Sequence, residues 1–267
     1  AVSTARIDVQ QEITRDKTKT AKNALWFFGV GVSQYENASQ NLEFAAKDAT
    51  ALAELLEKQS HGLFSEVHTR VLTNEGATER DVRVEMNEFL SRSEPDDVVI
   101  VFIAGHGVTD NDQNLYFVTH DADLARPYTG MNVERFRSFL ETRPLNQSAL
   151  LLIDICHSGT AGRVVSEDAV QKLSDGTGAI VFSSSSGSGL AYEDSSFGGG
   201  HGAFTAALLD ALRGMADSDT GNRDGQNSLQ EMVIFTSAEV PRLTQGLQRP
   251  TIPMMAQGLD YGISAAD

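Results

Sequence analysis

The sequence predicts an α/β domain with a mainly parallel central sheet and helices on both of its faces. Three observations predict it. Short apolar, β-branched runs recur along the chain, amphipathic stretches of helical spacing alternate with them, and no apolar run approaches the length of a bilayer crossing. Strands separated by helices ask for crossovers, and crossovers bring parallel pairing.

Residues 1–22 are polar and without sustained period, which reads as an N-terminal arm or linker. Residues 23–263 are expected to form one domain and 264–267 a C-terminal tail. Ala24 to Val32 (ALWFFGVGV) is the first buried strand. Leu42, Ala45, Ala46, Ala49, Leu52, Ala53, Leu55 and Leu56 then recur on one face of a helix. Val67 to Leu72 is a second strand, and Thr78 with Asp81 three residues on caps a helix to about Leu90. After the turn at Glu94 to Asp97, Val98 to Ala104 makes a third strand. Leu115 to Val118 can pair nearby, Asn132 caps a helix carrying Phe136 and Leu140, and Ala149 to Ile155 and Gly178 to Ser183 are further strands. Ala203 to Leu212 is a helix, and a Ser228, Glu231 capping box opens the last one, to Val240. Ser183 to Gly202 is rich in Ser and Gly and reads as a long mobile loop, in which a carboxylate at Glu193 or Asp194, beside Tyr192, binds a basic substrate residue or caps a turn.

A chain of 267 residues with 40% hydrophobic content can bury a substantial core. Its 37 acidic against 21 basic side chains give a net charge of −16, which argues against nucleic acid or a membrane as partner and favours cationic substrates. The single cysteine excludes an intrachain disulfide and any multi-cysteine metal cluster. The first residue is Ala1 rather than methionine, so a processed form is expected. The cytoplasm is the default location, and a removed signal peptide is compatible with the sequence.

Two strand ends carry chemistry. Val98 to Ile103 leads into Ala104-Gly105-His106-Gly107, and Leu150 to Ile153 leads into Asp154-Ile155-Cys156-His157-Ser158-Gly159. Open α/β sheets place ligands and reactions at the carboxyl ends of their strands. A thiol attacks as thiolate, and a neighbouring imidazole stores its proton, so His106 fits as base for Cys156. The glycines around His106 predict a sharp turn that lets a backbone N–H reach a substrate carbonyl. The N–H of Cys156 is a second donor to such an oxyanion, each worth about 3 kcal/mol. The bland alternative, a buried strand-end thiol and a turn histidine, does not account for both residues ending neighbouring hydrophobic strands. Asp154, two residues before Cys156, shares its face in an extended segment. Its charge opposes a thiolate, so it is expected to face an Arg or Lys of the substrate; a carboxylate bound to local N–H groups is the other reading.

Weaker signals lie elsewhere. Thr220 to Gly225 followed by Glu231 approaches an EF-hand loop, but Thr220 stands where Asp is required. No cofactor is expected, with calcium the one ion left open. His61, His68 and His120 lack zinc-ligand spacing, His157 reads as structural, and His201 sits in the Gly-rich loop. Gly29-Val30-Gly31 lacks the third glycine of a dinucleotide fingerprint.

Gly105-His106-Gly107 with Asp154-x-Cys156-His157-Ser158-Gly159 resembles the caspase-like peptidases, most closely metacaspases and their bacterial relatives. The first strand, the helix with Ala46-Lys47-Asp48-Ala49 and the segment Gly202-Ala203-Phe204-Thr205 extend the resemblance over about residues 24–260. It implies a three-layer caspase-like fold and a cysteine endopeptidase with a Cys156/His106 dyad. It also implies oxyanion-hole amides from Gly107 and Cys156, and an acidic S1 pocket from Asp48 and Asp154 that takes Arg or Lys at P1. Caspases proper have Gln where Asp154 stands and arginines in S1, one of them at the place of Leu42 here. Ala104 departs from the Ser frequent in relatives. The resemblance further implies protein or peptide substrates, a monomer and a zymogen, with Arg163 or Lys172 as self-processing sites. An inactive regulatory or scaffold module of the same fold is the alternative. A flavodoxin-like anion-binding domain would need a phosphate loop that is not found.

Overall fold

In the computed structural model, residues 23–112, 114–142, 149–157, 179–185, 191–251 and 261–266 are described. Five parallel strands form the sheet in the order β2 (Val67–Thr73), β1 (Leu25–Gly31), β3 (Val98–Thr109), β6 (Ala149–His157) and β7 (Ala179–Ser183). Two short strands, β4 (Leu115–Phe117) and β5 (Met131–Asn132), extend it antiparallel beyond the end of β1.

Alternate residues of the central strands feed two cores. Val99, Val101, Ile103, Leu151, Ile153 and Ile155 pack toward α2 (Glu79–Leu90) and α3 (Val133–Glu141), through Met86, Leu90 and Phe136. Ile100, Phe102, Ala104, Leu150 and Leu152 pack toward α1 (Ala45–Gln59), α4 (Ala203–Asp210) and α5 (Leu229–Leu243), through Leu52, Phe204 and Met232. The result is three layers, helices on sheet on helices, built from the period-two alternation of the strands.

The capping signals act as the sequence predicts. Thr78 accepts from the N–H of Asp81, Asn132 from that of Glu134, and Ser228 and Glu231 form a reciprocal box. Four expectations are corrected. Leu42 precedes α1 and donates its N–H to the Ser33 carbonyl instead of joining the helix. The helix from Ala203 gives way after Asp210 to a wider helical segment, Ala211–Thr220, kinked at Gly214 where φ is 117°. Ser264 and Ala265 belong to strand β11 (Gly262–Ala265), paired with β10 (Gln226–Ser228), because the Ser264 hydroxyl donates to the Leu212 carbonyl and accepts from the Asn227 amide. Within the Ser/Gly-rich stretch, β8 (Glu193–Asp194) and β9 (His201–Gly202) form a hairpin whose second strand is buried.

Candidate active site

His106 and Cys156 are direct partners in the register of the parallel strands β3 and β6. The expected turn around His106 is absent, since β3 runs on to Thr109 and pairs with β4 through Gly107, Val108 and Thr109. Close approach is why glycines flank the histidine. A Cβ at Gly105 would stand 2.9 Å from the Tyr35 hydroxyl, and one at Gly107 would overlap the Ile155 side chain.

The imidazole of His106 is buried and oriented from two sides. Its Nε2 lies 2.8 Å from the Gln40 carbonyl, its ring stacks on Tyr35 at 5.1 Å between centroids, and its backbone N–H donates to the Tyr35 hydroxyl at 2.9 Å. A carbonyl only accepts, so Nε2 carries hydrogen and Nδ1 holds the lone pair of the neutral ring. Gln40 closes a 3₁₀ turn (Ala38–Gln40) capped by Asn37, and Asn41 accepts from the Tyr35 N–H. Neither Tyr35 nor Gln40 is legible in the sequence as a site residue, because a backbone carbonyl leaves no residue signature and Tyr35 meets His106 only through a contact 71 residues away along the chain. The side chains of Cys156 and His157 lie outside the described atoms, and Ser158, Gly159, Arg163 and Lys172 outside the described residues.

Two residues back from that pair, Asp154 opposes Ala104 in the register and turns toward α1 and α4. There it meets Asp48 from the first turn of α1. A Cβ on Gly202 would stand 3.0 Å from Asp154 Oδ2 and 3.1 Å from Asp48 Oδ2, so both carboxylates close on the backbone at Gly202 and a side chain there would crowd them. Asp48 accepts from His201 Nδ1 at 2.6 Å and from the Gly202 N–H at 3.0 Å; Asp154 accepts from the Thr205 hydroxyl at 3.0 Å. Both acids are at most 5% exposed. Burial raises the pKa of Asp48, against the bonds from His201 and Gly202 that lower it. Burial, and then the neighbouring charge of Asp48, push Asp154 up to about 7 against its bond from Thr205.

The loop carboxylates take the turn-capping role. Glu193 accepts from the N–H groups of Glu43 and Phe44 just ahead of α1, and Asp194 accepts from the Ser196 N–H. His201 is buried against Asp48 instead of lying in a mobile glycine run. Its signal in the sequence is faint, a lone histidine between glycines. Glu231 accepts from the N–H groups of Asn222 and Ser228, which is capping geometry, and no group of three metal-ligating side chains is found among the described residues. A cleft of about 1100 Å³ between α2 and α3, lined by Arg83, Tyr128 and Arg135, contains none of these groups.

The sequence model of the caspase domain family, peptidase C14, matches residues 29–258. No curated protein matches the chain. Among solved structures, the fold is similar to that of protein GSU0716 from Geobacter sulfurreducens, with a TM-score of 0.61 at 14% identity over 92% of this chain and 100% of that one. It is also similar to pro-sf-caspase-1 (0.55, 13%, 90% and 93%) and to the Drosophila initiator caspase Dronc (0.53, 10%, 85% and 78%). At such identities the likeness concerns the fold.

Proposed function

The chain belongs to the caspase domain family of peptidases, and from that premise we propose that it is an active cysteine endopeptidase cleaving after Arg or Lys. The observation that carries the reading is the register that pairs His106 with Cys156 across β3 and β6. His106, its Nε2 donating to the Gln40 carbonyl, takes the thiol proton on Nδ1. The thiolate adds to the scissile carbonyl, and the N–H groups of Gly107 and Cys156 receive the oxyanion. Collapse of that intermediate expels the amine, which receives the proton from His106. Water, deprotonated by the same imidazole, then hydrolyses the acyl-enzyme and regenerates the thiol. Thiol and imidazole supply nucleophile and proton carrier, so this chemistry calls for no cofactor.

Specificity comes from Asp48 and Asp154. A cationic P1 side chain directed at the two carboxylates beside Gly202 meets both of them and serves as counter-ion in a site that otherwise holds two buried acids. Protein or peptide chains are the substrates and a monomer the working form. Arg163 and Lys172, between β6 and β7, have the residue type for self-processing.

Hydrolysis of short fluorogenic peptides ending in Arg, Lys or Asp, by the protein and by Cys156→Ala, tests the reading. Cleavage after Arg and Lys that vanishes in the variant is expected. Equal signals from both proteins would remove Cys156 as nucleophile, and preference for Asp would remove the acidic pocket. A full-length chain that never shortens in active enzyme would remove self-processing.

A further inference from the structure

We propose that His201 is a positioning residue of the P1 site, holding Asp48 ionised and aimed beside Asp154 so that the two carboxylates together bind a cationic side chain. The inference rests on reading Asp48 and Asp154 as that site. It goes further in naming what keeps the first of them charged.

The geometry is specific. Nδ1 of His201 is 2.6 Å from Asp48 Oδ1, and the adjacent Gly202 N–H is 3.0 Å from Oδ2, so consecutive residues of β9 hold both oxygens. His201 is itself buried, and the hairpin that carries it is tied to the start of α1 by Glu193 and by Lys47 Nζ, 2.8 Å from the Gly199 carbonyl. A carboxylate only accepts, so Nδ1 carries the hydrogen of the shared bond. The titratable and charged groups around Asp48 are His201 on β9, Asp154 on β6 and, further out, Glu193 on β8 and Lys47 on α1; Thr205 on α4 adds a hydroxyl. Asp154 is the neighbouring acid whose charge opposes that of Asp48. Burial already raises the pKa of Asp48, and losing the histidine donor raises it further. A protonated Asp48 offers a guanidinium no counter-charge.

The test compares wild type, His201→Ala and His201→Asn, the last because the asparagine amide places an N–H donor near the position of Nδ1. Binding of agmatine, a non-reactive guanidinium ligand, is measured by calorimetry between pH 6 and 9, alongside kcat and KM on Arg and neutral P1 peptides. His201→Ala should bind agmatine about tenfold more weakly at pH 7, the scale of one charge-assisted hydrogen bond. The deficit should close toward pH 9, and KM for the Arg peptide should rise with kcat held. His201→Asn should recover most of the affinity. Unchanged agmatine binding and KM in a folded His201→Ala would overturn the role of His201 while wild-type cleavage after Arg stands. A kcat loss shared equally by Arg and neutral peptides would reduce it to a structural residue. A wild type that neither binds agmatine nor cleaves after Arg would overturn the acidic site and this inference with it.

Discussion

Asp154→Asn should stabilise the protein while abolishing cleavage after basic residues. In the unfolded chain this carboxyl ionises near 3.8; in the folded chain burial and Asp48 push it up to about 7. Below about pH 4 both states hold the proton and the group is neutral to stability. Between those values the folded state binds more protons than the unfolded one, so stability falls as pH rises, and above about 7 the whole loss remains. The interval corresponds to about 4 kcal/mol. Asparagine is permanently neutral and keeps an oxygen that can accept from the Thr205 hydroxyl, which now bonds Oδ2 at 3.0 Å. Readjustment around the new amide consumes part of the gain, leaving roughly 2 to 4 kcal/mol at pH 8. Equilibrium urea denaturation of both proteins from pH 4 to 8 reads it directly. The difference should be near zero at pH 4, grow to pH 7 and then level off. A pH-independent difference, or a wild type more stable at pH 8, would refute the reasoning.

Three further outcomes are expected. Gly202→Ala suits the backbone there, φ −63° and ψ 145°, but puts a methyl 3.0 and 3.1 Å from the two carboxylates, so kcat/KM on Arg peptides should fall at least about tenfold with the fold retained by circular dichroism. Tyr35→Phe removes the acceptor of the His106 N–H and should cost about 1 to 3 kcal/mol in chemical denaturation, with kcat lowered more than KM is raised. Glu193→Gln keeps the shape of the contact ahead of α1 but removes the charge, so unfolding free energy should drop by about 0.5 to 1 kcal/mol, less in high salt.

The layers were legible because alternation and helical spacing are local properties. Val101 and Phe102 go to opposite cores as period two requires, and Thr78, Asn132 and Ser228 cap their helices because capping needs only the next three residues. The pairing of His106 with Cys156 was legible one step further, since both end apolar runs that had to become neighbouring strands. What escaped is non-local. Nothing near Gln40 marks its carbonyl as the partner of an imidazole 66 residues on. The glycines of 198–202 spell mobility in isolation, yet β9 is fixed by Asp48, 153 residues earlier in the chain. Composition describes what a segment can do alone, and here burial against α1 decides otherwise.

The position of Asp154 relative to the proposed nucleophile limits the substrate on geometric grounds. Asp154 and Cys156 are two residues apart along β6, and a strand rises about 3.3 Å per residue, so the carboxylate is rooted about 7 Å from the cysteine along the strand. A P1 residue whose carbonyl carbon meets the sulfur must therefore extend a side chain over several bonds before its charge reaches the acids, which suits the long stems of Lys and Arg and leaves a short cationic side chain out of range. Both acids are held by one segment, in which His201 and Gly202 bond Asp48 and Thr205 bonds Asp154. The proposed dyad sits on β3 and β6, while the proposed charge selector is gathered from α1, β6 and the entry to α4. On the proposed reading, a substitution in that segment changes what is cut while leaving the register of His106 and Cys156 intact.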